Sequence, residues 1–368
     1  MGALWALPIL ALATLRRRRP AVEEAAPLQG PLLSVVIPAR NESVNIDQVL
    51  ESLQQSCYRD LEIVVVDDRS TDDTAERVAR RAATDPRLRL VSGLPLPPGW
   101  FGKPWALTQG ATAARGEILC FVDADTTLHP DLLPHAVGAL HASKADLYTL
   151  SSRLRCESLW ERLVMPQVWI ILALRYTPAR VNRARRPDDV VANGQFIMMT
   201  RRSHEAIGGH AAVHDQVVED LALAQRCVAL GLRLRMEFGE AMLATRMYRD
   251  LPGLVEGWSK NLFVGARQSL RSFPRLQPFA PLFLLGAFGF WLVPLLVLLP
   301  LGLTGAAIVA VCASLCFWAL ALAGMRIPPG YALGYPLGAA MAMWIAARST
   351  LRGTRRITWR GRDYGPGS

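Results

Sequence analysis

The chain has 368 residues, 51% of them hydrophobic, with 41 Lys and Arg against 31 Asp and Glu for a formal net charge of +10. So much apolar side chain excludes a disordered chain and points to membrane contact. Six cysteines without Cys-x-x-Cys spacing exclude a disulfide framework and imply reduced, mostly buried thiols. The positive balance does not indicate nucleic acid, because the arginines crowd beside apolar stretches. Arg16 to Arg19 follow the first such stretch, and Arg348, Arg352, Arg355, Arg356, Arg360 and Arg362 follow the last.

In chain order, residues 3–15 are apolar and end in those four arginines, which predicts an N-terminal membrane anchor over 1–19 with its basic end in the cytosol. A cleaved signal peptide would carry its charges before the apolar run. Pro20, Pro27, Gly30 and Pro31 mark a linker over 20–31. Leu32 to Pro38 and Leu61 to Val66 are β-branched runs that read as buried parallel strands. Between them, Glu42 to Gln55 has a helical pattern with Val44, Ile46, Val49, Leu50 and Leu53 inward. Ser70 is placed to cap a helix running to Ala83. Strand Leu88 to Val91, helix Lys103 to Ala114 and strand Glu117 to Val122 continue the alternation. This predicts a mostly parallel sheet of the α/β class with right-handed crossovers. Further strands are expected at Ala145 to Leu150 and Phe196 to Thr200, with a long helix-rich stretch from Leu159 to Arg175 between them and a helical run from Leu221 to Leu230.

The domain over 32–250 gives way to an amphipathic segment at 251–278, where Trp258 and Phe263 mix with Lys260, Arg267 and Arg271, as suits a membrane surface. Transmembrane helices are predicted over 279–347, as Phe279 to Leu303, Thr304 to Met325 and the shorter Tyr331 to Ala347, before a basic tail at 348–368. If all these segments and the first one cross, the tail lies opposite Arg16 to Arg19, against the positive-inside tendency. Either the first or the last segment then lies in the interface, and a cytosolic tail is expected. The protein is thus placed in the cell (inner) membrane as a multi-pass chain with a cytoplasmic catalytic domain.

The chemistry-bearing residues follow the strands. Asp123 and Asp125 end an apolar strand as Asp-x-Asp, so their carboxylates share one side of the pleat. Two hard oxygen ligands at the carboxyl edge of an α/β sheet suit Mg²⁺ or Mn²⁺ holding a diphosphate. Pro38-Ala39-Arg40-Asn41-Glu42 and Asp67-Asp68-Arg69-Ser70-Thr71-Asp72 lie at two other strand ends, and loops after parallel strands converge at one edge. Lys103, in Trp100-Phe101-Gly102-Lys103-Pro104-Trp105, is a cation available to a donor diphosphate. Glu219 and Asp220 open a helical run, where the dipole favours negative charge whatever their function.

In order and spacing, these motifs from Leu32 to Asp220 resemble the family 2 glycosyltransferases of the GT-A fold, a nucleotide-diphospho-sugar transferase domain. The resemblance implies that Asp68 accepts from the uracil edge of a UDP-sugar while Glu42 supports the nucleoside. It also implies that Asp123 holds ribose or metal, and that Asp125 coordinates the divalent cation. Asp220 would be the general base that deprotonates the acceptor, with Glu219 shaping the site. Gln195, in Asn193-Gly194-Gln195-Phe196, resembles an acceptor-side position. The segment Pro97 to Lys103 is similar to one in members that glycosylate carotenoid or other isoprenoid lipids, ceramide-type enzymes being related. The tail Ile357-Thr358-Trp359-Arg360-Gly361-Arg362-x-Tyr364 resembles the endings of lipid-glycosylating members.

Processive polysaccharide synthases of this superfamily carry Gln-x-x-Arg-Trp after the Glu-Asp pair. Here Leu254-Val255-Glu256-Gly257-Trp258 keeps only the tryptophan, which argues against polymer extension and leaves Trp258 as an acceptor-stacking or interface residue. The expected activity is inverting transfer of a single sugar from a UDP donor to a membrane lipid hydroxyl at the cytoplasmic face. The alternatives are a polyprenyl-phosphate glycosyltransferase and a catalytically inactive membrane scaffold.

Overall fold

The computed structural model describes residues 20–296, 305–353, 357–359 and 362–364, so the predicted anchor over 1–19 lies outside the described residues. Two compact units are distinguishable: one of residues 20–153 and 178–246 with the chain end from Arg360, the other of 154–177 and 247–359 with the chain start.

The first unit is built around central strands, Leu33–Ala39, Leu61–Asp67 and Ile118–Val122, buried on both faces, as continuous apolar runs require. In chain order it contains β1 (Leu33–Ala39), α1 (Ile46–Gln54), β2 (Leu61–Asp67), α2 (Thr74–Ala82), β3 (Leu88–Ser92), α3 (Gly102–Ala113), β4 (Ile118–Val122), β5 (Thr126–Leu128), α4 (Leu132–Ser143) and β6 (Leu147–Ser151). After the excursion into the second unit come β7 (Phe196–Thr200), α5 (Arg201–Ile207), α6 (Glu219–Ala229), β8 (Leu234–Phe238) and β9 (Leu243–Thr245). The seven-stranded sheet has the order β3-β2-β1-β4-β7-β6-β8. All neighbours are parallel except β7, which runs antiparallel to both β4 and β6. The mixed, mostly parallel sheet agrees with the predicted class. One face is covered by Ile46, Val49, Leu50 and Leu53 of α1 together with Leu132, Leu133, Ala136 and Val137 of α4, all essentially buried.

Residues 20–31 do not behave as a free linker. Val22 is fully buried, the Leu28 N–H donates to the Pro134 carbonyl at 2.9 Å, and the Pro20 carbonyl accepts from Phe238 at 2.9 Å. Val44, expected inward, is 66% exposed, because α1 begins only at Ile46. The cysteines also differ from expectation: Cys120 and Cys227 are buried, but Cys57, Cys312 and Cys316 are exposed.

The second unit is helical. Leu159–Arg175 starts with a capping box in which Ser158 Oγ accepts from the Glu161 N–H and the Glu161 carboxylate accepts from the Ser158 N–H. This helix therefore belongs with the C-terminal helices, not with the domain predicted over 32–250. Helix Tyr335–Arg352 packs on it so closely that a Cβ on Gly338 would lie 2.2 Å from the Leu163 carbonyl oxygen. Two segments, Pro274–Leu296 and Ala307–Gly324, are long and apolar enough to cross a membrane, with 22% and 39% of an apolar 18-residue stretch of each buried. Their outer surfaces expose Leu282, Phe283, Ile308 and Val309, which fits membrane association. The third predicted span is different: Gly338, Ala339, Ala342, Ile345 and Ala346 are buried against protein, and Arg352 pairs with Glu256 at 2.7 Å.

Candidate active site

The site begins with register. Ala39 stands opposite Asp67 across β1 and β2, and Val36 opposite Phe121 across β1 and β4, so the loops after these strands leave the sheet at one edge. The first two loops are stitched together. Asn41, at φ +52°, donates its N–H to Ser70 Oγ at 3.0 Å and accepts the Thr71 N–H at 2.8 Å. The Glu42 N–H donates to Thr74 Oγ1 at 2.8 Å, and Ser43 N–H to Asp72 at 3.2 Å. Arg40 donates to the carbonyls of Asp68 and Arg69. Ser70 is thus committed to Asn41, and the predicted helix cap is not made: α2 starts at Thr74, whose N–H is accepted by Asp72 at 3.1 Å.

Asp123 and Asp125 follow β4, and both remain partly open to solvent. Strand β9, antiparallel to β5, places Thr245 beside Asp125, and Thr245 Oγ1 donates to Asp125 Oδ1 at 3.2 Å. Burial and the nearby carboxylates of Asp123 and Glu42 push the Asp125 carboxyl up to about 7, against the relief supplied by Lys103 and Thr245. A concentration of hard oxygen donors that repel one another is what a divalent cation neutralises. Among the described residues no three His, Cys, Asp or Glu side chains are grouped to hold a metal alone. Two carboxylates nevertheless suffice where a bound diphosphate completes an oxygen shell, so the residues present fit Mg²⁺ or Mn²⁺.

Lys103, in the first turn of α3, joins this acidic pair to the third loop. Its Nζ lies 2.8 Å from Asp123 Oδ1 and 2.8 Å from Glu219 Oε1. Burial disfavours its charge, but Asp123, Glu219 and Asp220 outweigh that and hold the ammonium well above its ordinary range. Asp220, partly exposed in the first turn of α6, accepts the Gly194 N–H at 2.9 Å and the Leu221 N–H at 2.7 Å. Burial, then the neighbouring Glu219 charge, pushes its carboxyl up to about 6, while Lys103 and the two N–H groups restrain the shift. Position at the helix start and presence in the cluster are therefore both true of Asp220.

Glu42, Lys103, Asp123, Asp125, Glu219 and Asp220 are accordingly brought into one connected electrostatic group, with Asp68 on the adjoining stitched loop. Two predicted residues are not. Gln195 is buried, its carbonyl oxygen accepting from Ser152 Oγ and, at 3.0 Å, from Asn193 Nδ2, so that oxygen braces the strand start. Trp258 is buried in the helical unit, with its Nε1 directed at Met165 Sδ at 3.3 Å and its ring edge-on to Trp169. Its ring packs within the helical unit. The sequence reading missed Gly194, where a Cβ would stand 2.9 Å from Asp220 Oδ2 and 3.1 Å from Lys103 Nζ. It also missed Thr245, which only the β5–β9 pairing brings to Asp125, and Arg362, which pairs with Asp68.

Residues 34–208 match the model of Glycosyl transferase family 2. The chain is 28% identical over 240 residues to the 4,4'-diaponeurosporenoate glycosyltransferase of Staphylococcus haemolyticus, covering 64% of this chain and 62% of that one. It is 30% identical over 243 residues to the protein of the same name from Staphylococcus aureus, covering 64% and 61%. The match thus spans somewhat less than two thirds of these relatives' length. Among solved structures, a mannosyltransferase from Pyrobaculum calidifontis in complex with GDP-Man and Mn²⁺ superposes over 95% of both chains, with a TM-score of 0.58 and 20% identity, a likeness of fold.

Proposed function

We propose, on the match of residues 34–208 to the model of Glycosyl transferase family 2, that this protein moves one sugar from a UDP-sugar to the hydroxyl of a membrane-dissolved lipid, with inversion at the anomeric carbon. The observation that carries the reading is Lys103, one ammonium bridging Asp123 on the donor side and Glu219, next to Asp220, on the acceptor side. Inverting transfer needs a base facing the sugar from the side opposite the leaving diphosphate. Asp220 is assigned that role because it is partly open and held by two backbone N–H groups, with its carboxyl pushed up to about 6.

In this scheme Asp68 accepts from the nucleoside and Glu42 supports it. Asp125, with Asp123, holds the divalent cation, which when bound supplies neutralisation of the diphosphate charge. Asp220 takes the proton of the acceptor hydroxyl as its oxygen bonds to the anomeric carbon, and the bond to the diphosphate oxygen breaks. Lys103 stabilises the negative charge that develops on the departing group. A lipid acceptor is supported by the two apolar helices, since confinement in a bilayer raises the effective concentration of an acceptor dissolved there. The names of the curated relatives favour a carotenoid-type lipid, the carotenoid they print being a carboxylate whereas this reading takes a hydroxyl, and the basic tail supports a cytosolic catalytic unit.

The test is mass spectrometry of lipid extracts from cells with and without the protein. A mass gain of one hexose on a single neutral lipid class is the expected result. A ladder of hexoses, or sugar found only on polyprenyl phosphate, would contradict it.

A further inference from the structure

Asp68 follows β2 directly, and only 2% of its side chain is exposed. A carboxylate so far out of water is costly without a partner, so whatever pairs with it governs the state of the pocket. The first loop holds its main chain, the Asp68 N–H donating to the Ala39 carbonyl at 2.7 Å and its own carbonyl accepting from Arg40 at 2.6 Å, and the Arg40 charge also favours the carboxylate. The carboxylate is met by a residue 294 positions away. Arg362 Nη1 donates to Oδ2 at 2.8 Å and Nη2 to Oδ1 at 3.2 Å, a bidentate fork with the arginine side chain itself only 15% exposed.

Two N–H donors held side by side against two carboxylate oxygens present the same pattern as the vicinal hydroxyls of a ribose, or as an imide N–H beside another donor. We propose that Arg362 is a displaceable stand-in for the nucleoside at Asp68: it closes the empty donor pocket, and the sugar nucleotide enters by exchanging its own donors for the guanidinium. This rests on the donor-site role of Asp68 proposed above. It gives the tail motif a task in the reaction cycle that its sequence resemblance does not specify. The exchange keeps the buried carboxylate paired in both states. A guanidinium suits the position better than an ammonium, because only the planar fork matches both oxygens.

UDP with Mn²⁺ is titrated against the full-length protein in detergent, as wild type, Arg362→Ala, Arg362→Lys and Asp68→Asn. Arg362→Ala is expected to bind UDP about tenfold more tightly than wild type, the factor that 1.4 kcal/mol represents. Arg362→Lys should lie between the two. In the wild type, UDP should accelerate tryptic cleavage after Arg362, read by intact mass, because the pair that shields it has opened. Weaker or unchanged UDP binding by Arg362→Ala, or slower cleavage with UDP, would overturn the proposal by making the arginine a donor ligand or a bystander. Asp68→Asn should lose UDP binding. If it binds UDP as wild type does, the donor-site reading itself fails, an outcome that the Arg362 variants alone do not produce.

Discussion

Asp220 illustrates how few contacts set the chemistry of a side chain. Burial and Glu219 raise its pKa, whereas Lys103 and the N–H groups of Gly194 and Leu221 favour the ionised form, leaving the carboxyl at about 6. A base works only when deprotonated, so activity should be full above that value and fall as pH drops through it. The expected kcat/KM profile loses tenfold per pH unit below about 6, measured with UDP-sugar and lipid hydroxyl acceptor. An acceptor that is already anionic needs no base, so a profile flat down to pH 5 would count against Asp220 in this role. Asp220 was legible from its sequence because a Glu-Asp pair opening a helix is a local pattern. The groups that tune it were not, since Gly194 precedes it by 26 positions and meets it only through the fold.

At the scale of elements, α6 and the turn before β7 meet at Gly194, whose lack of a Cβ lets the backbone reach Asp220 and Lys103 together. Gly194→Ala should push on both groups. We expect about a 100-fold loss of kcat, the order associated with a 1 Å misplacement of reacting groups, with thermal stability nearly unchanged. A large drop in melting temperature with kcat preserved would show that the glycine serves folding alone. The elements were unevenly readable. The helix-rich stretch expected from Leu159 to Arg175 is a single helix, opened by the Ser158–Glu161 capping box. Phe196–Thr200 was also placed correctly, yet five residues of mainly apolar character read the same in either direction, so its antiparallel course was invisible. The helix expected from Glu42 starts four residues later because Glu42 and Ser43 donate to Thr74 and Asp72, pairs made across about thirty positions that override local periodicity.

Across the whole molecule, the acidic motifs after β1, β2 and β4 were readable because parallel strands end at one edge, so sequence order translates into proximity, whereas Glu219 and Asp220 open α6. Arg362 has no such rule behind it, and neither does the membership of Leu159–Arg175 in the helical unit. The exposed cysteines offer a test of membrane placement. In sealed inner-membrane vesicles, a membrane-impermeant maleimide should label Cys57 when the cytoplasmic face is outward and spare it in the opposite orientation. Cys312 and Cys316, on helix Gly305–Gly324, should stay protected in both until detergent is added. Labelling of Cys312 without detergent would mean that this helix does not lie in lipid.

The central claim is that one carboxylate, joined through Lys103 and Glu219 to the donor-binding acids, removes a proton from the lipid hydroxyl. The most direct measurement is UDP affinity and sugar transfer by purified Asp220→Asn in lipid vesicles. The account predicts UDP binding within about twofold of wild type and transfer reduced by 10²- to 10⁴-fold. Undiminished transfer by that variant would contradict it.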